Sequence, residues 1–245
     1  MTVPLKAITF DYWDTLVEGA VERERTQRRR SAFRELLAEL GQPTTVEEIA
    51  LAHRELASDL DKWWRVEQRG YTTEEAVLLF LSKRGITLAA TDARVVQTAR
   101  AIDDALIAHP PALLPGAALI LQQLATRFTL AIVSDTGIAS GRAQDRLLEL
   151  RGVRHHFAAT IYSCDVGVTK PRAEMFAAAL DALGVQPMEA LHVGDIERTD
   201  VVGAVGYGMR AIRCDVVRSS GSSDAELVGT TLGEITEYLL GQGSG

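Results

Sequence analysis

Asp11 closes the apolar run Ala7-Ile8-Thr9-Phe10 and is followed at once by Tyr12, Trp13, Asp14 and Thr15. A short apolar run ended by a carboxylate and a hydroxyl-bearing turn reads as a buried strand that delivers an acid to its carboxyl end. Open α/β sheets bind their ligands there. Three more clusters stand behind later apolar runs. They are Ser134-Asp135, then Lys170 within Gly167-Val168-Thr169-Lys170-Pro171, then Gly194-Asp195 with Asp200 further on. Together they offer carboxylates, a hydroxyl, one ammonium and a glycine-bearing turn, all aimed at one edge of a sheet.

That inventory suits phosphoryl transfer. A carboxylate, here Asp11, can attack phosphorus and form an aspartyl-phosphate. Carboxylates held close together need a cation, and a hard, oxygen-only donor set selects Mg²⁺. The metal neutralises Asp11 against the incoming anion and orients it for in-line attack. Lys170 adds a fixed positive charge beside the nucleophile and the transferring group. The Ser134 hydroxyl and the backbone N–H groups around Asp135 complete the expected phosphoryl-binding set.

The elements that must position these groups are short. Apolar, largely non-alternating runs at 7–10, 130–134, 159–163, 190–194 and 209–213 read as strands covered on both faces. Amphipathic stretches over 117–128, 142–150 and 172–183 separate the later runs. Strand, helix and strand in repetition mean a parallel sheet with right-handed crossovers, so the expected fold class is α/β, a doubly wound, Rossmann-like core. Residues 18–112 break the rhythm with four helical patterns and no strand. Phe33, Leu36, Leu37 and Leu40 share one face, and so do Ile49, Leu56, Leu60 and Trp63. Thr72 with Glu75 reads as a capping box before 76–81. Val95, Val96, Ala99, Ile102 and Leu106 mark a fourth helix, closed by Pro110-Pro111. The expected organisation is a core of residues 1–17 and 113–245 with an all-helical cap over 18–112. Hinges near 17–20 and 110–116 would let the cap act as a lid over the strand ends. Residues 219–223 read as a polar loop, and the tail 241–245 as mobile.

Composition narrows the partners. At 245 residues, 47% hydrophobic and 24% charged, the chain supports one sizeable core plus an insertion. Its net charge of −7 turns away nucleic acid and anionic membrane as main partners. No apolar run approaches a bilayer span, and the first ten residues lack the pattern of a signal peptide. Cys164 and Cys214 match neither a disulfide framework nor a zinc spacing. The expectation is a cytoplasmic protein, monomer or homodimer, whose partner is a small phosphorylated metabolite.

The four clusters, in order and spacing, make the chain resemble the haloacid dehalogenase superfamily, whose members are mostly phosphatases. FDYWDTL is similar to the first motif of that family (FDxDGTL), IVSD to the second, SCDVGVTKP to the third and VGDIERTD to the fourth. The helical interval resembles the cap that one large subgroup carries between its first two motifs. The resemblance covers essentially the whole chain. It implies that Asp11 is the nucleophile, that Ser134 binds phosphate, and that Lys170 is the lysine of the third motif. It implies also that Asp195 is an acidic metal ligand, that Asp200 supports the metal shell, and that Trp13 offers its backbone carbonyl to the metal.

Trp13 departs from the pattern. Family phosphatases place an aspartate there, which protonates the leaving oxygen and then activates water; Trp13 can do neither. Loss of a general acid–base costs about 10²–10⁴-fold in rate. Asp14, one residue later, can deliver the proton if the turn is rotated, or can act as a turn residue bonded to its own backbone. A cap residue or the substrate can supply the proton instead, and a good leaving group needs none. Family dehalogenases carry an aromatic residue at this place, because halide leaves without a proton. They work without metal, however, and do not keep the acidic ligand of the fourth motif, so Asp195 favours phosphate hydrolysis. Metal-independent 2-haloacid dehalogenation and a catalytically weakened binding or regulatory protein stand as the alternatives.

Several other residues invite functional readings but have plainer ones. Arg28-Arg29-Arg30 sits in a highly charged helix and reads first as a solvated face, with capture of an anionic substrate as the alternative. Trp63-Trp64 reads as the anchor of a cap helix in its own core, with one of the pair available to line the substrate pocket. His192 reads as a satisfied core residue, His155-His156 as structural or surface, and Cys164 as a small buried hydrophobe.

Overall fold

In the computed structural model, which describes residues 3–19, 23–219 and 221–241, β1 (Ala7–Phe10) is flanked by a strand on each side. Its four residues are all buried, which is why the run is uniformly apolar or hydroxylic rather than alternating. The chain then runs through α1 (Arg23–Glu39), α2 (Val46–Lys62), α3 (Thr73–Ser82) and α4 (Ala93–Ala108), with a π-turn at Trp63–Glu67 after α2. Alternation of helix and strand follows: α5 (Ala117–Leu124), β2 (Thr129–Ser134), α6 (Gly141–Leu150), β3 (Phe157–Tyr162), the one-turn α7 (Ser163–Val166) and α8 (Ala173–Leu183). After these come β4 (Ala190–Gly194), a π-turn at Glu197–Val201, α9 (Val202–Gly206), β5 (Arg210–Cys214), β6 (Leu227–Gly229) and α10 (Leu232–Gly241).

Among the described residues the sheet is six-stranded and parallel, in the order β3-β2-β1-β4-β5-β6. β1 pairs β2 with Ala7 opposite Thr129, and β4 with Ala7 opposite Ala190. The order reverses at β1, so the carboxyl end of β1 opens into the crevice where doubly wound sheets bind ligands. Ile8, Phe10, Leu130, Ile132, Leu191, Val193 and Ile212 form the centre of the largest core cluster, closed by Leu121, Leu147, Ile235 and Leu239 from the helices.

The helices between β1 and β2 gather around a second cluster, with Phe33, Leu37, Ile49, Leu56, Leu60, Val77, Phe80, Val95 and Ile102 at its heart. Phe33 and Phe80 lie with ring centroids 4.2 Å apart. Capping boxes start two of these helices: Thr72 with Glu75, as the spacing predicts, and Thr45 with Glu48, which the sequence reading passed over. The chain leaves and re-enters the sheet region side by side. Val17 bridges Leu113, Glu18 N donates to Ala112 O at 3.0 Å, and Leu114 N donates to Leu16 O at 2.9 Å.

Differences from the sequence reading lie at the edges. β3 starts at Phe157, and Ser163 opens α7 instead of ending the strand. β5 runs one residue later than the apolar run suggested. β6, three residues at a sheet edge, carries no periodicity to read, whereas α10 buries Leu232, Ile235 and Leu239 at a helical spacing that the expected elements left out. Residues 219 and 221–223 carry no helix or strand, as expected, while Ser220 falls outside the described residues. In the tail expected to be mobile, Gly241 ends α10 and 242–245 lie outside the described residues.

Candidate active site

Every cluster singled out in the sequence reaches the carboxyl edge of the sheet. Asp11, one residue past β1, donates its backbone N–H to Val193 O of β4 at 2.8 Å and lines a cavity of about 780 Å³. Trp13, Asp14, Asp135, Lys170, Asp195 and Asp200 line the same cavity. The Lys170 ammonium is buried and donates to Asp11 Oδ1 at 2.7 Å and to Asp200 Oδ1 at 2.6 Å. The second oxygen of Asp11 has a long contact, 3.5 Å from the Thr15 hydroxyl, and the Tyr12 N–H also acts on the carboxylate. One oxygen of the carboxylate is therefore clamped and the other is left for chemistry.

Asp200 is the most tightly held group. Its Oδ1 also receives His192 Nε2 at 3.0 Å, and its Oδ2 accepts from Ile196 N at 3.0 Å and Thr199 Oγ1 at 3.1 Å. A carboxylate can only accept, so Nε2 of His192 carries the proton and Nδ1 accepts from the Thr9 hydroxyl at 2.8 Å. His192 is thus the satisfied core residue expected of it. A buried chain Thr9–His192–Asp200–Lys170–Asp11 ties β1 to β4 and fixes the ammonium. Gly194 is required for it, because a Cβ there would stand 2.4 Å from Asp200 Cγ.

Asp11, Asp195 and Asp200 present oxygens within 4.8 Å of one another. Asp195 Oδ2 is buried and accepts no hydrogen bond, although Arg218 Nε lies 3.3 Å away as a counter-charge. Burial, reinforced by Asp200, pushes Asp11 up to about 7, and burial, reinforced by Asp11 and Asp200, pushes Asp195 up to about 8, both against the pull of Lys170. Burial would raise Asp200 too, but Lys170 and His192 outweigh it and hold that carboxyl well below its usual range. Lys170 is desolvated, yet Asp11, Asp200 and Asp135 more than compensate and keep it charged.

A sign follows for stability. Carboxyls raised in the folded state hold protons that the unfolded chain has already released, between the ordinary carboxylate pKa near 4 and about 8. The metal-free protein is expected to lose stability, on the order of a few kcal/mol, as pH rises from about 5 to about 8. The depressed Asp200 acts oppositely, and only below that window. Denaturant titrations in chelator at both ends of the window measure this. Stability that is flat or rising across it would contradict a desolvated carboxylate pair.

Asp14 adopts a left-handed conformation, with φ of 56°. Its Oδ1 accepts from Gly19 N at 2.8 Å and its carboxylate pairs with the Arg218 guanidinium. Asp14, weighed as a proton donor or as a turn residue, has its carboxylate engaged by Gly19 and Arg218. Gly19 lies so close that a Cβ would meet Asp14 Oδ1 at 2.6 Å. Ser134 is fully buried at the end of β2, its hydroxyl 3.5 Å from Asp135 O, while Asp135 and Thr136 form the cavity wall. Asp135 has both oxygens engaged, by Lys170 N at 2.9 Å and by Trp64 Nε1 at 2.8 Å. It braces the lysine turn against the helical insertion.

Trp63 joins the core of the insertion and Trp64 lines the cavity, so the pair divides as the sequence allowed. Cys164 is half-buried, and its sulfur accepts from Gly141 N at 3.3 Å. The solvated-face reading of the arginine run holds for Arg28 alone. Arg28 is exposed and donates to His109, whereas Arg29 and Arg30 are half-buried and line the cavity. α1 turns that face inward because Phe33, Leu36 and Leu37 must reach the neighbouring helices. Arg218, Arg25 and Gln144 also reach the cavity unannounced. Arg218 sits in a polar loop after β5, and nothing in its local sequence marks it.

These features meet a family-wide pattern: residues 5–208 match the model for the haloacid dehalogenase-like hydrolases. The chain belongs to that family and is a hydrolase. A glyceraldehyde 3-phosphate phosphatase of Methanopyrus kandleri is 30% identical over 213 residues, covering 85% of this chain and 83% of the relative. A phosphoserine phosphatase of Thermus thermophilus is 45% identical over 64 residues, 26% of either chain. Among solved structures, a 2-haloacid dehalogenase from Pseudomonas syringae superposes with a TM-score of 0.68 at 25% identity, covering 96% of this chain and 98% of the other. Among the described residues no helix is long and apolar enough to cross a membrane.

Proposed function

We propose that the protein hydrolyses a small organic phosphate monoester through an aspartyl-phosphate on Asp11, with Mg²⁺. The observation that carries this reading is the cluster of three buried carboxylates, in which Lys170 clamps Asp11 and Asp195 Oδ2 accepts no hydrogen bond. Two raised carboxyls and an orphaned hard oxygen suit a small divalent cation. Asp11, Asp195 and the Trp13 carbonyl would hold it, with Asp200 behind them fixing Lys170. A bound Mg²⁺ supplies charge neutralisation for the carboxylates and the phosphoryl oxygens.

Asp11 Oδ2 attacks phosphorus while Oδ1 stays on Lys170, and the bond from phosphorus to the ester oxygen breaks. The leaving oxygen takes up a proton, from water or from the substrate, because Asp14 is committed to Gly19 and Arg218. Water then attacks the phosphorus of the acyl phosphate, the Asp11–phosphorus link breaks, and carboxylate and inorganic phosphate are regenerated. Lys170 stabilises the equatorial oxygens beside the Asp135–Gly137 turn that lines the cavity, whereas Ser134, expected to bind phosphate, is fully buried and does not line it. Trp64, bonded to Asp135, holds the helical insertion over the cavity and limits water.

Acid quenching during turnover of an aryl phosphate should trap a phosphorylated peptide containing Asp11, found by mass spectrometry. An unmodified Asp11 under continuing turnover would overturn the reading. Trp13, which offers no proton, favours a second reading: displacement of halide at carbon through an Asp11 ester, without metal. Haloacid turnover that survives chelator would establish that one instead.

A further inference from the structure

Beyond Asp11 the cavity continues beneath the helical insertion, and its far wall carries groups that phosphoryl transfer does not use. Arg25 is buried and Arg29 stands one turn along α1 on the same face, both lining the cavity. Arg30, His53 of α2 and Gln144 of α6 complete that wall. Gln144 is fully buried, and neither its amide oxygen nor its amide nitrogen has a hydrogen-bond partner. The Nε atoms of Arg29 and Arg30 are likewise buried without an acceptor among the described residues. Buried polar atoms are nearly always paired, so a cluster of unpaired ones on residues that line a cavity marks a place for a ligand.

The chemistry of that ligand follows from the charges. Burial, then Arg30 and Arg29, push His53 down to about 4, so at neutral pH it adds no charge and can donate or accept. Burial and Arg25 push Arg29 down to about 10, which leaves it a cation. Of the nearby acids, Asp103 acts on Arg29 by charge alone, with its oxygens held by Ser140 N at 2.8 Å and Ser140 Oγ at 2.7 Å, and Asp61 is paired with Arg65 at 2.7 Å. The wall is cationic and desolvated, and its Arg29, Arg30 and Gln144 side chains carry buried polar atoms without partners among the described residues.

We propose that this wall is a subsite for a second anionic group on the substrate, a carboxylate or another phosphate, held by Arg29 and Gln144 with Arg25 and Arg30 behind them. The proposal rests on the phosphatase reading only for what binds at the Asp11 end. It makes the substrate class a phosphate ester that carries a further anion at its far end.

Matched series of graded chain length test it: ω-phosphooxy alcohols, ω-phosphooxy carboxylates and α,ω-bisphosphates. Phosphate release should give a kcat/KM for one anionic series about 10–100-fold above the alcohols of the same length. The better anionic series says which group the wall takes. Arg29→Gln and Gln144→Leu should bring that ratio towards unity, mainly through KM. Gln144→Leu removes two unsatisfied buried atoms and keeps the shape, so its thermal midpoint should hold or rise while discrimination falls. A purely structural glutamine would not give that combination. Calorimetry of the same compounds on Asp11→Asn reads the subsite without turnover. Turnover of all three series at equal kcat/KM, with equal binding to Asp11→Asn, overturns the subsite and spares the phosphatase reading. No turnover of any series, with anionic compounds still bound more tightly, overturns the phosphatase reading and keeps the subsite.

Discussion

Asp11→Asn is expected to abolish phosphate-ester turnover, by on the order of 10⁴-fold or more, and to leave the fold intact. The amide oxygen can still accept from the Lys170 ammonium, which stands 2.7 Å from Asp11 Oδ1. The other position becomes an NH₂ group, which cannot attack phosphorus. The same substitution removes one of the two carboxyls that burial pushes up, so it should flatten the decline in metal-free stability between about pH 5 and about pH 8. Initial rates, and denaturant titrations at the two pH values, check both halves. Turnover within tenfold of wild type would move the nucleophile elsewhere.

Trp13→Asp should raise turnover of alkyl phosphates by about 10²–10⁴-fold and that of aryl phosphates far less, because only the poor leaving group needs a proton. Trp13 lines the cavity and is half-buried, with its ring edge-on to Tyr12 at 4.9 Å. The site can therefore receive a shorter polar side chain without opening the core beneath, which Tyr12 continues to fill. Trp13→Asn is the control, since it loses the same packing and offers no general acid or base. A gain shared equally by both variants would assign the effect to space in the cavity. No gain in a folded Asp variant would show that the native reaction already has its proton, which is the outcome expected of an activated or self-protonating substrate.

Much of the site was legible because its groups sit where strands end. Asp11, Asp135 and Asp195 each follow directly on an apolar run, and a parallel sheet brings all such ends to one edge, whatever the helices do between them. Lys170 was legible for the same reason at one remove, in the loop that leaves β3 and α7. The helical insertion declared itself through four amphipathic patterns with an independent core, since each face must bury its own apolar residues. Asp14 was not decidable from sequence. Whether an acid in a turn bonds its own backbone or reaches the reaction depends on φ and on a partner, and both Gly19 and Arg218 turned out to hold it.

The order of residue types along this chain determined the sheet, the family and which carboxylates stand at the strand ends. Those follow from local alternation of apolar and polar residues and from what must lie at a strand end. Tertiary structure alone decided which charges meet. Arg218 reaches a turn about two hundred residues earlier in the chain, Trp64 crosses from the insertion to Asp135, and α1 rotates Arg29 and Arg30 into the cavity while leaving Arg28 in water. Such pairings depend on how packed helices are turned against the sheet. That rotation is set by the summed burial of apolar residues far apart in the chain, and no window of sequence contains it.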